Sequence, residues 1–93
     1  MCYVASMSPP DPRRASLFEW DSANEEHLAQ HDVSPYEVEQ VFHNDPTWRR
    51  NKGGRAALYA MDGRTDAGRS LRVLVTWADE MERVLRAVTA WDR

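Results

Sequence analysis

The chain lacks the features that would place it in a membrane, in a secretory route or among disulfide-stabilised proteins. Its 93 residues include one cysteine, Cys2, so no internal disulfide can form. No run of about 18 apolar residues occurs, so the sequence predicts no transmembrane helix. The first residues have no charged region and only a short apolar stretch, so we expect no signal peptide and a cytoplasmic location.

Basic residues are scarce in the first half of the chain and concentrated in the second. Residues 1–48 hold two Arg against nine acidic residues, whereas residues 49–93 hold ten basic against six acidic residues. Nine of those ten are arginine, whose planar guanidinium recognises phosphate and carboxylate with paired hydrogen bonds. The basic half could steer an anionic partner to one side of the protein. Alternatively, its charged side chains could simply be the solvated residues of the outer strand face. The net charge of −3 is not the basic balance expected of a nucleic-acid binder.

Residues 33–46 have the most specific local pattern in the chain. Ser34 followed by Glu37 three residues later predicts a capping box, and Pro35 fits the first helical position. The apolar residues that follow are spaced for one helix face, namely Val38, Val41 and Phe42. The resulting helix has about three turns and is too short to be stable alone in water, so we expect it to pack on a sheet.

The remaining periodicities predict an α+β fold with the order β-α-α-β-β-β-β. The strands are expected at residues 17–20, 47–50, 56–65, 69–78 and 83–91, and the first helix at residues 21–31. Short loops favour a four-stranded antiparallel meander with both helices packed on one face of the sheet. Residues 1–16, which are rich in proline and serine, are expected to form a disordered leader, and residues 17–93 a single domain.

Several positions within these elements carry predictions of their own. The first helix should be capped by Asp21 or Ser22, and Ser22 with Glu25 would form a capping box. Gly63 could mark a bulge in its strand. Strict alternation in the last strand would place Thr89 on the same face as Leu85 and Ala87.

Histidine and arginine supply the candidate functional side chains. His27 and His31 lie one helical turn apart and are candidates for acid–base chemistry, because histidine titrates near neutral pH. Arg86 interrupts an apolar strand face and must therefore reach water, an acid or a ligand. Arg64 and Arg69 flank one hairpin loop, as a functional pair or as exposed charges. Further basic residues that could contact phosphate or form a solvated face are Arg49, Arg50, Lys52, Arg55 and Arg72.

Taken in order, several short motifs resemble the BrnT family of toxins from type II toxin–antitoxin modules, within the RelE/ParE superfamily. The resemblance runs from about residue 17 to residue 92. It is carried by Phe18-Glu19-Trp20-Asp21, by Leu28, His31, Val33, Ser34, Glu37, Val38, Val41 and Phe42 before Asp45-Pro46, and by Gly63-Arg64-Thr65, Gly68-Arg69 and Val88-Thr89-Ala90.

This resemblance implies a RelE/ParE-like fold and a metal-independent ribonuclease that needs no cofactor and inhibits translation. The RNA 2′-hydroxyl would be the nucleophile, and basic residues would stabilise the phosphorane. The implied catalytic residues are Arg64, Arg86, His27 and His31. The implied RNA-binding residues are Arg49, Arg50, Lys52, Arg55, Arg69 and Arg72. The implied partners are RNA and a BrnA-like antitoxin, with a homodimer also possible and no membrane.

Two other functions remain open from the sequence. A non-catalytic relative could keep the fold and act by binding a protein or nucleic acid. It is suggested by Trp91, where family members often carry arginine, by the acidic net charge, and by a chain without the C-terminal helix usual in the family. A stand-alone dimer of unrelated role could use Trp77 or Trp91 on an exposed sheet face or edge.

Overall fold

The computed structural model describes residues 10–51 and 57–93, which contain two α-helices and five strands. In chain order they are β1 (Leu17–Glu19), α1 (Ser22–Ala29), α2 (Pro35–His43), β2 (Thr47–Arg50), β3 (Tyr59–Arg64), β4 (Ser70–Asp79) and β5 (Val84–Asp92). The predicted α+β class and the β-α-α-β-β-β-β order are therefore confirmed. Neither helix in the described ranges is long and apolar enough to cross a membrane.

The five strands form one mixed sheet in the order β1-β5-β4-β3-β2. Strands β2 to β5 are the predicted antiparallel meander. The first strand instead pairs in parallel with the last, and Phe18 lies opposite Leu85. The Ser16 amide donates a further hydrogen bond to the Arg83 carbonyl at 2.8 Å. The start of the domain is thus held against its final strand.

Helix α2 has the caps that its sequence predicts. The Ser34 hydroxyl accepts from the Glu37 amide at 3.3 Å, and the Glu37 carboxylate accepts from the Ser34 amide at 3.0 Å. Pro35 occupies the first turn. Val38 and Val41 are fully buried, so the apolar face of α2 points into the core.

The capping box of α1 differs from the predicted one. Asp21, rather than Ser22, is the N-cap, and its side chain accepts from the Asn24 amide at 3.0 Å. The Asn24 side chain accepts from the Asp21 amide at 2.9 Å, so asparagine takes the place predicted for Glu25. Asn24 is 3% exposed and also donates to the Glu19 carbonyl, which ties α1 to β1.

One hydrophobic core lies between the two helices and the facing side of the sheet. Leu28 of α1 and Val41 of α2 are fully buried there. The strands contribute alternate residues, namely Met61, Leu71, Val73, Val75, Leu85, Ala87 and Ala90. Phe18 and Phe42 meet edge to face with ring centroids 5.4 Å apart, and Trp77 packs against this core as a half-buried residue.

A bulge in β5 overturns the predicted facing of Thr89. Leu74 pairs with Thr89 but Val75 pairs with Ala87, so Val88 is an extra residue and the alternation reverses there. Ala90, not Thr89, is therefore buried on the helix side.

Gly63 does not mark a bulge, because β3 and β4 pair through it without a register shift. A Cβ at Gly63 would lie 3.1 Å from both the Pro46 Cβ and the Val41 Cγ1. Glycine here lets α2 approach the sheet closely.

The segment predicted as a leader lies partly outside the described residues, which begin at Pro10. A 3₁₀ turn covers Pro12–Arg14, capped by the Asp11 side chain. Pro12 is buried, and Ala15 packs against the core. Cys2, Lys52 and Arg55 also fall outside the described ranges, so the predictions for these residues are not addressed by the structure.

Candidate functional site

The face of the sheet opposite the helices, here called the open face, collects most of the described sheet arginines. Residues paired across antiparallel strands share a face, and the register gives the rows Arg49–Ala60–Leu74–Thr89 and Thr47–Asp62–Arg72–Trp91. Arg64 pairs with Ser70 in the next row, where the Arg93 amide donates to the Ser70 carbonyl. The open face therefore carries Arg49, Arg64 and Arg72 of the predicted set, together with Arg93. Arg86, which pairs with Thr76, lies on the same face next to β1.

Asp62 organises three of these arginines. Its side chain is 2% exposed and accepts from Arg72 twice, at 2.7 Å from Nε and 2.9 Å from Nη2. Arg49 Nε donates to the same carboxylate at 3.2 Å, and Arg93 Nη1 lies 3.7 Å away. The Arg72 hydrogen bonds, with the neighbouring positive charges, hold the pKa of the Asp62 carboxyl below its usual value. Three guanidinium groups around one carboxylate leave a local formal charge of +2.

These arginines keep donors free for a ligand. Within the described ranges, the Nη groups of Arg49 and Nη1 of Arg72 make no hydrogen bond to a protein acceptor. The side chains of Arg49, Arg72 and Arg93 are 56%, 31% and 47% exposed. A carboxylate that fixes guanidinium groups from below, with donors left facing out, is suited to binding an anion.

Arg64 adds a fourth guanidinium to the open face. It lies two residues from Asp62 on β3, about 7 Å along the strand. The side chain is exposed, and within residues 10–51 and 57–93 it makes a single hydrogen bond, to the Gly68 carbonyl at 3.3 Å. No carboxylate among the described residues pairs with it, so Arg64 is the most available of the predicted catalytic arginines.

Arg86 and His27, both predicted catalytic residues, line one shallow cavity of about 260 Å³ together with Thr76. Arg86 is committed to carboxylates there, donating to Glu19 at 2.8 Å and to Asp21 at 2.7 and 3.1 Å. Hydrogen bonds from Arg86 and from the α1 backbone lower the pKa of Asp21 to about 2. Arg86 is therefore in the ion pair that the sequence left open as an alternative.

Arg69 points toward the helices and away from the open face. It donates to both Asp92 oxygens at 2.6 and 3.0 Å and to Glu37 at 3.0 Å. It also donates to the carbonyls of Asp32 at 2.7 Å and His31 at 3.4 Å. All three of its nitrogens are thus engaged with protein acceptors, which leaves little capacity for a phosphate.

The other predicted residues do not join the open face. His31 is exposed at the end of α1 and lies outside the cavity that His27 lines. Arg50 is on the helix side of β2 and lines a cavity of about 520 Å³ with Pro12 and Trp48, at the sheet edge where Arg49 also contributes to the lining. The four predicted catalytic residues are therefore not gathered at one point.

Two members of the arginine cluster were absent from the sequence prediction. Asp62 could have been found by counting outward from the Asp66–Gly68 loop, which sets Asp62 opposite Arg72. Arg93 follows the last strand and carries no motif, so nothing in the sequence marks it.

No family model matches the chain, and no curated protein is significantly similar to it. A proposal for its function therefore depends on the fold and on the geometry of this site.

Proposed function

We propose that this chain is a BrnT-like toxin of RelE/ParE type that acts on RNA through its open face and is neutralised by an antitoxin. The observation that carries the proposal is the grouping of Arg49, Arg72 and Arg93 around the single carboxylate of Asp62. Arg64 lies two residues from Asp62 on the same strand. The motif order described above supports the family. The net charge of −3 does not oppose it, because positive charge is concentrated where RNA would bind.

Cleavage would proceed without a metal. The 2′-hydroxyl of one nucleotide would attack the adjacent phosphorus, and the 5′-oxygen of the next nucleotide would leave, giving a 2′,3′-cyclic phosphate. Guanidinium groups that are already held in place by Asp62 would stabilise the negative charge that develops on the phosphorane. The geometry supports RNA binding by the open face more directly than proton transfer, because His27 and His31 lie on and beside α1.

An RNA cleavage assay with matched arginine variants tests the proposal. Purified protein is incubated with total cellular RNA in EDTA, using wild type, Arg64→Ala, Arg49→Ala and Arg14→Ala. We expect wild type and Arg14→Ala, an exposed arginine in the 3₁₀ turn, to cut RNA. The two open-face variants should lose at least about tenfold in rate. Intact RNA with folded wild type would rule out the nuclease.

A non-catalytic binding module is the second candidate, and one observation favours it. Arg86 is saturated by Glu19 and Asp21, so one predicted catalytic arginine has its charge matched within the protein. This candidate predicts intact RNA together with measurable binding of single-stranded RNA or a co-purifying partner. Growth arrest on expression, lost in Arg64→Ala, would favour the toxin instead.

A further inference from the structure

Trp91 lies beside the arginine cluster on the open face, in the row that contains Asp62 and Arg72. It is the direct cross-strand partner of Arg72 in β4. Directly opposed residues on one face have Cβ atoms about 4.5–5.5 Å apart. Arg93 follows two positions later on the same strand side. An indole is therefore placed within reach of two guanidinium groups.

The environment of Trp91 differs from that of the other tryptophans. Trp20, Trp48 and Trp77 all pack against the helix-side core. Trp91 is half-buried on the opposite face, next to Thr89 and Arg72. Trp91 therefore has no packing role in the helix-side core comparable to those three.

We propose that Trp91, Arg72 and Arg93 form a nucleotide subsite in which a base stacks on the indole and the adjoining phosphodiester binds the guanidinium groups. Stacking accepts any base, whereas guanidinium groups recognise the backbone. In a duplex the bases are already stacked and paired, so this subsite selects single-stranded nucleic acid. The inference rests on the proposed action on RNA and specifies how RNA is held.

Asp62 gives the subsite its geometry. The paired hydrogen bonds at 2.7 and 2.9 Å fix the plane of the Arg72 guanidinium beside the indole. Nη1 of Arg72 makes no hydrogen bond within the described part of the chain and is the donor available for a phosphate oxygen. Arg93, whose side chain is 47% exposed, supplies a second donor group.

A binding titration separates stacking from charge. The probe is a fluorescein-labelled 2′-O-methyl oligoadenylate of six nucleotides, which lacks the 2′-hydroxyl nucleophile and so cannot be cut by the proposed reaction. Wild type, Trp91→Phe and Trp91→Ala are compared, with Trp20→Phe as a control on the helix side. Each is also titrated with a duplex of 2′-O-methyl RNA and with inorganic polyphosphate as a competitor that carries charge but no base.

Trp91→Ala should weaken binding of the single strand by about 5- to 150-fold, the range that corresponds to stacking of one base. Trp91→Phe should retain binding within about threefold, since a phenyl ring still stacks. Competition by polyphosphate should be the same for wild type and Trp91→Ala, and the duplex should bind each equally. Trp20→Phe should behave as wild type.

Equal binding of the single strand by wild type and Trp91→Ala would overturn the subsite, even if the protein cuts RNA through its arginines. A loss of polyphosphate binding in Trp91→Ala as large as its loss of single-strand binding would also overturn the subsite, since charge rather than stacking would then have changed. Polyglutamate is a second competitor. If it competes as strongly as the oligonucleotide, and equally in wild type and Trp91→Ala, the result would indicate an acidic protein partner instead. A stacking effect without any RNA cleavage would support the subsite and refute the nuclease.

Discussion

Arg86 of β5 donates two hydrogen bonds to Asp21, at 2.7 and 3.1 Å, and Asp21 is also the residue that caps α1. One carboxylate therefore joins the last strand to the first helix. Glu19 of β1 shares the same guanidinium at 2.8 Å. The ion pair links β5 to β1 and α1, which lie more than 50 residues earlier in the chain, so its main effect should be on folding.

Asp21→Asn should make the thermal stability of the protein change less as the pH is lowered from 7 to 2. The Arg86 and backbone hydrogen bonds lower the Asp21 pKa from 3.8 to about 2. A lowered carboxyl pKa stabilises the fold above about pH 4, and this contribution disappears as the pH falls toward 2. Asp21→Asn keeps a good N-cap but loses the charge. Thermal unfolding followed by circular dichroism should show a gap between wild type and Asp21→Asn at pH 7 that closes by pH 2. A gap that is constant with pH would refute this.

Asp62→Asn should destabilise the protein, because it leaves three guanidinium groups around a neutral amide. Asp62 is 2% exposed and accepts charged hydrogen bonds from Arg72 and Arg49. We expect a loss of about 2 kcal/mol in the free energy of unfolding, measured by urea denaturation. Arg93→Ala, which removes only a 3.7 Å contact, is the control and should cost less than about 0.5 kcal/mol. Equal effects of the two changes would contradict the central role of Asp62.

Arg69→Lys should loosen the connection between α1 and α2. Lysine cannot reproduce the planar set of donors that reach Asp92, Glu37 and the carbonyls of Asp32 and His31. We expect a loss of about 2 kcal/mol in stability and faster amide exchange in residues 30–33. Arg64→Lys, on the same hairpin, is the matched control and should stay within about 0.5 kcal/mol of wild type. Unchanged exchange in Arg69→Lys would show that the contacts are not needed.

Gly63→Ala should separate α2 from the sheet slightly. The added Cβ would meet Pro46 and Val41 at 3.1 Å, and the Pro46 contact includes backbone atoms at 3.3 Å. We expect a loss of about 1–3 kcal/mol in urea denaturation, as for other overpacked sites. Adding Gly63→Ala to Val41→Ala should cost less stability than adding Gly63→Ala to the wild type. An additive double variant would argue against steric crowding as the cause.

Features determined by neighbouring residues could be predicted from the sequence. The α2 capping box depends on Ser34 and Glu37 alone, and the helix formed where the pattern placed it. The order of elements followed from periodicity and turn residues in the same way. Asp21 is one of the two caps that the sequence allows for α1, but the predicted Ser22–Glu25 capping box is wrong, because Asp21–Asn24 and Ser22–Glu25 are both acceptable locally. The Asn24 bond to the Glu19 carbonyl, a tertiary feature, favours the first.

Features that depend on contacts between distant residues could not be predicted in this way. The pairing of Arg86 with Glu19 joins positions 67 residues apart, and it changes the role of an arginine that looked available. The Val88 bulge depends on the register of β5 against β4 and moves Thr89 to the open face. Periodicity therefore placed the arginines on strands but could not say which ones are matched by carboxylates.

The parallel pairing of β1 with β5 also has a consequence for synthesis on the ribosome. The first strand emerges early, yet its hydrogen-bonding partner is made last, so β1 must wait unpaired until nearly the whole domain has left the exit tunnel. Nascent chains that stall before Val84 would expose Phe18 and the inward faces of β3 and β4. Completion of the last strand is therefore the step that lets β1 join the sheet.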